Sequence, residues 1–179
     1  VFYLMEYREG CGFWDLVLDD VTAEQRRAQW DSANQVLAQL HGIDYEAIGL
    51  GDFGRPGNYY QRQFKRWSEQ YLNNRDCLSN PAMDHLLKWI PQYIPTDDNT
   101  SIVHGDFQFS NMIFNRQQDR VDAVLDWELS TLGHPLSDLA YFCRVYHLAP
   151  EHGGVAGLDL AALGIPEECD FVRDYCERV

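Results

Sequence analysis

Two short apolar runs, Met112 to Asn115 and Val121 to Leu125, flank a polar turn from Arg116 to Arg120. Runs of this length joined by such a turn read as the two strands of a hairpin. An antiparallel pair turning near Gln118 puts the residue entering the first strand opposite the residue leaving the second. Asn111 and Asp126 are therefore expected to meet at one edge. The loop from His104 to Asn111 must begin and end near that edge, so Asp106 is expected beside both.

Three oxygen-bearing side chains gathered in this way suggest a chemistry. A carboxylate and an amide oxygen form a hard donor set that suits Mg2+, which prefers oxygen and completes its shell with water and nucleotide phosphates. The second carboxylate is left free for other work. The competing reading is three ordinary loop residues that cap or turn the chain.

The rest of the chain reads as mostly helical. Thr22 and Gln25 have the spacing of a capping box, and Trp30, Ala33, Val36, Leu37 and Leu40 then recur at helical spacing. This helix is expected to end near His41-Gly42, with the glycine left-handed. The glycine-rich loop 49–58 precedes a second helix from Tyr59 to Leu72, and Asn80-Pro81 starts a third that runs to about Tyr93. Ile102-Val103-His104 is a short strand. After Asp126, a loop through Gly133 and Pro135 leads to a helix from Ser137 to His147, and Asp170 to Val179 begins another. The expected fold class is α+β, helix-dominated, with a small sheet set among the helices.

A formal net charge of −14 argues against nucleic acid or an anionic membrane as a partner, because phosphate surfaces are met by lysine and arginine. No apolar stretch approaches the roughly 20 residues of a membrane helix, and the opening residues lack the order of a secretory signal. A soluble, cytoplasmic protein is expected. Cys11, Cys77, Cys143, Cys169 and Cys176 are scattered and never form a C-x-x-C pair, so they read as reduced structural thiols.

His104-Gly105-Asp106-Phe107-Gln108-Phe109-Ser110-Asn111 resembles the H-G-D-x-x-x-x-N catalytic loop of the aminoglycoside phosphotransferase family. Asp126-Trp127-Glu128 falls where that family, like protein kinases, keeps its metal-binding aspartate. Gly133-His134-Pro135-Leu136-Ser137-Asp138-Leu139-Ala140 is similar to the family's G-D-P-x-x-D-L-A segment, and Leu37-Ala38-Gln39-Leu40-His41 to its L-x-x-L-H helix end. The resemblance implies an ATP-dependent transfer of phosphate to a hydroxyl of a small molecule. Asp106 would be the base and His104 a brace of the catalytic loop, grouped with Asp106 as catalytic. Asn111 and Asp126 would hold Mg2+, and Asp138 would support the loop. His134 stands where the family usually has aspartate, which leaves that position without an inherited role.

The opening residues, Phe2 to Gly10, resemble the hinge between the two lobes of a kinase-like fold. On that match Met5, Glu6, Tyr7 and Arg8 contact adenine, Glu6 through its carbonyl and Arg8 through its N–H. The glycine-rich phosphate loop, strand lysine and helix glutamate of kinases have no counterpart in the chain. The resemblance therefore implies a protein-kinase-like C-terminal lobe without its N-lobe. Residues 1–10 would be the hinge and 11–179 a helical catalytic lobe cut short at its C-terminal end. Such a fragment is expected to be inactive alone.

The loop 54–59, followed by Arg62, Lys65, Arg66 and Trp67, resembles the branch of the family attached to acyl-CoA dehydrogenases, which implies a hydroxyacyl-CoA acceptor; an aminoglycoside-like acceptor is the other expectation. Arg62, Lys65 and Arg66 share a helix face that reads chiefly as solvated, and Glu128 as a surface carboxylate or cap. The aromatics Trp30, Tyr59, Tyr60, Trp67, Trp89 and Trp127 are expected mostly in the core. Two rival functions stay open. One is a non-catalytic nucleotide-binding domain. The other is a metal-dependent phosphoesterase using His104, Asp106, Asp126 and His134.

Overall fold

The computed structural model describes residues 6–13, 16, 21–74, 79–115 and 117–179. Helix α1 spans Ala23–His41, α2 Tyr59–Asn73 and α3 Pro81–Trp89. Four short strands follow among the described residues: β1 Ser101–Val103, β2 Met112–Asn115, β3 Arg120–Val124 and β4 Thr131–Gly133. Helices α4 Leu136–Cys143, α5 Leu160–Leu163 and α6 Glu168–Arg178 complete the chain. The strands form two separate antiparallel pairs, β1 with β4 and β2 with β3.

Helix α1 starts where the sequence places it. The Thr22 side chain accepts from Gln25 N, and the Gln25 side chain accepts from Thr22 N, so two amides at the helix start are satisfied. Its end differs from expectation. Gly42 has φ −82°, in the right-handed region, and its N–H simply extends the helical hydrogen bonding to Ala38 O. Helix α3 stops at Trp89 and continues as a 3₁₀ turn over Ile90–Gln92, because Pro91 has no N–H to offer the helix.

Trp30 is fully buried on α1 and holds the core together. Its ring lies 5.0 Å from Phe109, 5.5 Å from Phe142 of α4 and 6.0 Å from Phe171 of α6. Phe109 belongs to the loop between β1 and β2, so this cluster fixes that loop against three helices. Phe107 is fully buried and Phe109 nearly so, which pins the loop on both sides of Gln108. Tyr59 and Tyr60 are half-buried, whereas Trp67, Trp89 and Trp127 are exposed, contrary to expectation. Trp67 and Trp89 line an apolar groove of about 390 Å³ between α2 and α3, with Phe64, Met83, Leu86 and Tyr93.

Of the expected hinge, Met5 lies outside the described residues. Residues 6–9 are irregular, and Tyr7 is 85% exposed. Glu6 and Arg8 pair with each other at 3.0 Å. The segment is anchored just beyond, where Cys11 exchanges two backbone hydrogen bonds with Phe114 of β2. No described helix is long and apolar enough to cross a membrane.

Candidate active site

The hairpin β2–β3 pairs Met112 with Val124, Ile113 with Ala123, and, past a bulge, Phe114 with Val121 and Asn115 with Arg120. Asp122 is the residue the bulge leaves over. Beyond the Met112–Val124 pair, at the open end of the hairpin, Leu125 N donates to Asn111 O at 2.8 Å. Asn111 therefore lies across from Leu125, and Asp126 follows immediately. Asp126 is exposed and has φ 65° and ψ 56°, a left-handed conformation that aspartate tolerates better than most side chains. Backbone strain of this kind costs about 1–2 kcal/mol and tends to gather at functional sites.

Asp106 sits at the other side of the same edge. Asn111 Nδ2 donates to its carboxylate at 2.8 Å and to its carbonyl at 2.9 Å. Because the amide nitrogen faces Asp106, Asn111 Oδ1 is left on the opposite side of the amide as an acceptor. Gln108 Nε2 lies 3.0 Å from both carboxylate oxygens of Asp106. Burial raises the Tyr141 phenol above its ordinary pKa, with hydrogen bonding to Asp106 as the next cause.

His104 is fully buried and both ring nitrogens are used. Nε2 meets Leu125 O at 2.9 Å and Nδ1 accepts from Asp106 N at 3.2 Å, a pattern that assigns the proton to Nε2. The ring thus clips the start of the loop to the end of β3. Asp138, buried on α4, accepts from His104 N at 2.6 Å and Gly105 N at 2.9 Å. His41 Nε2 reaches the same carboxylate at 3.4 Å, and its Nδ1 meets the Tyr175 hydroxyl at 2.7 Å. Gly105 has φ +84°, and a Cβ there would lie 2.7 Å from Leu129 O, so the turn before Asp106 needs glycine.

Of the residues named for a metal hydrolase, His134 is engaged elsewhere. His134 turns to Asp97 at 2.8 Å and to the Tyr60 hydroxyl at 3.3 Å, and it holds the Asp97 carboxyl below the usual carboxylate range. Among the described residues, no group of three or more His, Cys, Asp and Glu side chains is arranged to hold a metal ion. The basic face of α2 is also occupied: Arg62 donates to Arg55 O at 2.6 Å, Lys65 lies 4.0 Å from Glu69, and Arg66 stands over the Trp67 ring. Glu128 lies exposed in the 3₁₀ turn Trp127–Leu129.

Sequence reading passed over three residues around Asp106: Gln108, Tyr141 and Arg144. Gln108 occupies a variable position of the loop motif; its place between two buried phenylalanines was the available signal. Arg144, 36 residues further on, donates to Gln108 Oε1 at 2.6 Å and carries no sequence signal of that contact.

This fold and loop arrangement are those of a kinase-like phosphotransferase lobe. The profile of the phosphotransferase enzyme family matches residues 1–172, and the chain belongs to that family. It is 42% identical over 178 residues to acyl-CoA dehydrogenase family member 10 of Mus musculus, covering 98% of this chain and 17% of that protein. It is 40% identical over 190 residues to the probable acyl-CoA dehydrogenase IBR3 of Arabidopsis thaliana, covering 98% of this chain and 23% of that protein. A crystal structure from Ralstonia eutropha, provisionally described as an aminoglycoside phosphotransferase, superposes with a TM-score of 0.93 at 50% identity, over 97% of this chain and 54% of that one. The chain thus spans about half of that solved relative and under a quarter of the two curated ones.

Proposed function

We propose that the protein containing this chain transfers the terminal phosphate of ATP to a hydroxyl group of a small molecule, with Asp106 as base. The observation that carries this reading is the Asn111 side chain, bonded to the Asp106 carboxylate while its backbone pairs with Leu125, next to Asp126. Asp106 accepts the acceptor's hydroxyl proton as that oxygen bonds to the terminal phosphorus and the bond to ADP breaks. Asn111 and Asp126 are the residues that would hold Mg2+, since an amide oxygen and a carboxylate are hard donors; the bound ion would neutralise phosphate charge. His104 and Asp138 keep the loop's backbone in place and do not exchange protons in the reaction. Glu6, Tyr7 and Arg8, with Met5, are the proposed adenine contacts.

For the acceptor, a hydroxyacyl-CoA is favoured over an aminoglycoside. The apolar groove between α2 and α3 suits an acyl chain better than a polycationic sugar, and two sequence relatives are named as acyl-CoA dehydrogenases. The test is transfer of labelled phosphate from ATP by the full-length protein to a hydroxyacyl-CoA and, in parallel, to an aminoglycoside. Transfer to the thioester, lowered at least about a hundredfold in Asp106→Asn, is expected. Nucleotide binding without transfer to any hydroxyl acceptor would support a non-catalytic domain instead.

A further inference from the structure

We propose that Arg144 is a positioning residue for phosphoryl transfer, acting through Gln108 to fix the orientation of the Asp106 carboxylate. The inference rests on Asp106 being the base. A glutamine amide is two-faced, with an acceptor and a donor of nearly equal size, and its partners decide which way it points. Arg144 offers only donors, so its contact at 2.6 Å selects Gln108 Oε1. The amide nitrogen is then left facing Asp106, where it lies 3.0 Å from both oxygens. The reversed amide would set an oxygen against the carboxylate and N–H groups against the guanidinium, two repulsive contacts in place of two attractive ones.

Arg144 is itself held. Its Nη1 donates to Tyr141 O at 2.8 Å, and its guanidinium carbon lies 3.8 Å from the centre of the Tyr141 ring. The other end of the relay is equally confined, because buried Phe107 and Phe109 leave Gln108 one place from which to reach. Helix α4 therefore grips the loop twice. Asp138 near its start holds the backbone of His104 and Gly105, and Arg144, just past its end, orients the side chain that faces the base.

The test is ATP turnover by the full-length protein, with a hydroxyacyl-CoA and with water alone as acceptor, in Arg144→Met, Arg144→Lys, Gln108→Leu and the Arg144→Met/Gln108→Leu double variant. Arg144→Met is expected to lower kcat roughly ten- to a hundredfold while KM for ATP stays within about twofold, a split that general loosening of the fold does not produce. Arg144→Lys, which keeps a cationic donor, recovers part of the loss. The double variant is no slower than Gln108→Leu alone, because both changes break one relay. If Arg144→Met does not fold, Arg144→Lys combined with Gln108→Leu supplies the same comparison. The proposal is overturned by an Arg144→Met enzyme within about twofold of wild type, or by losses that multiply in the double variant. Asp106→Asn separates the two levels. If it keeps full turnover, the base assignment fails and this inference with it; if it is inactive while Arg144→Met is unaffected, only this inference fails.

Discussion

Asn111 donates from a single amide nitrogen to both the carboxylate and the carbonyl oxygen of Asp106, at 2.8 and 2.9 Å, five residues back along the chain. That double contact closes the loop 104–111 on itself. The backbone of the same residue is tied to Leu125 at 2.8 Å. Loop and hairpin edge are thereby one mechanical unit, and a change in either is felt at Asp106.

Asp138 holds that unit from below. Asp138→Ala leaves the N–H groups of buried His104 and half-buried Gly105 without their acceptor, at about 1–3 kcal/mol for each unsatisfied group. Urea unfolding should show an unfolding free energy lowered by a total of about 2–6 kcal/mol. A loss under about 0.5 kcal/mol, the level of an ordinary surface substitution, would contradict the geometry.

Gly105 tests the turn itself. A methyl group at φ +84° adds about 1–2 kcal/mol of backbone strain and also meets the Leu129 carbonyl. Gly105→Ala is expected to displace Asp106 and lower transfer at least about tenfold in a protein that still folds. Wild-type turnover in that variant would show that the loop has room to spare.

Alkaline pH tests the burial of the weak acids. Burial, with Glu168 nearby, pushes the Cys143 thiol from 9.0 up to about 12. Burial likewise raises the Tyr60 and Tyr175 phenols from 10.0 to about 12. In each case the folded state keeps its proton where the unfolded chain has lost it, so the unfolded state binds fewer protons and stability falls as pH rises. Melting curves should be flat up to about pH 9 and decline between about pH 9 and 12. A constant melting temperature across that window would mean that these groups are solvated.

The hairpin was legible because its period, its polar turn and its terminal oxygen-bearing residues all sit within a few residues of one another. The capping box at Thr22 and Gln25 was legible for the same reason. What escaped the sequence was non-local. The β1–β4 pair joins Ser101 to Gly133, and nothing in the three residues of β4 marks them as a strand rather than a loop. The bulge between Ile113 and Phe114 shifts the register by one residue, so that Leu125 lies across from Asn111 where an unbroken ladder would have put Val124. Trp67 and Trp89 read as core by residue type, yet α2 and α3 leave them exposed along a groove. The contacts of Gln108 with Arg144 and of His41 with Asp138 and Tyr175 depend on helices packed far apart in sequence.

On the proposed mechanism, Asp126 and Asn111 serve one cation beside Asp106. Asp126→Asn addresses it cleanly, because asparagine adopts the left-handed backbone found at this position and only the charge is removed. The measurement is turnover by the full-length protein at fixed ATP as Mg2+ is varied. The half-saturating Mg2+ concentration should rise at least about tenfold in Asp126→Asn, as expected when a charged ligand is lost from an oxygen-coordinated ion. An unchanged Mg2+ dependence with unchanged kcat would show that Asp126 holds no cation in the reaction.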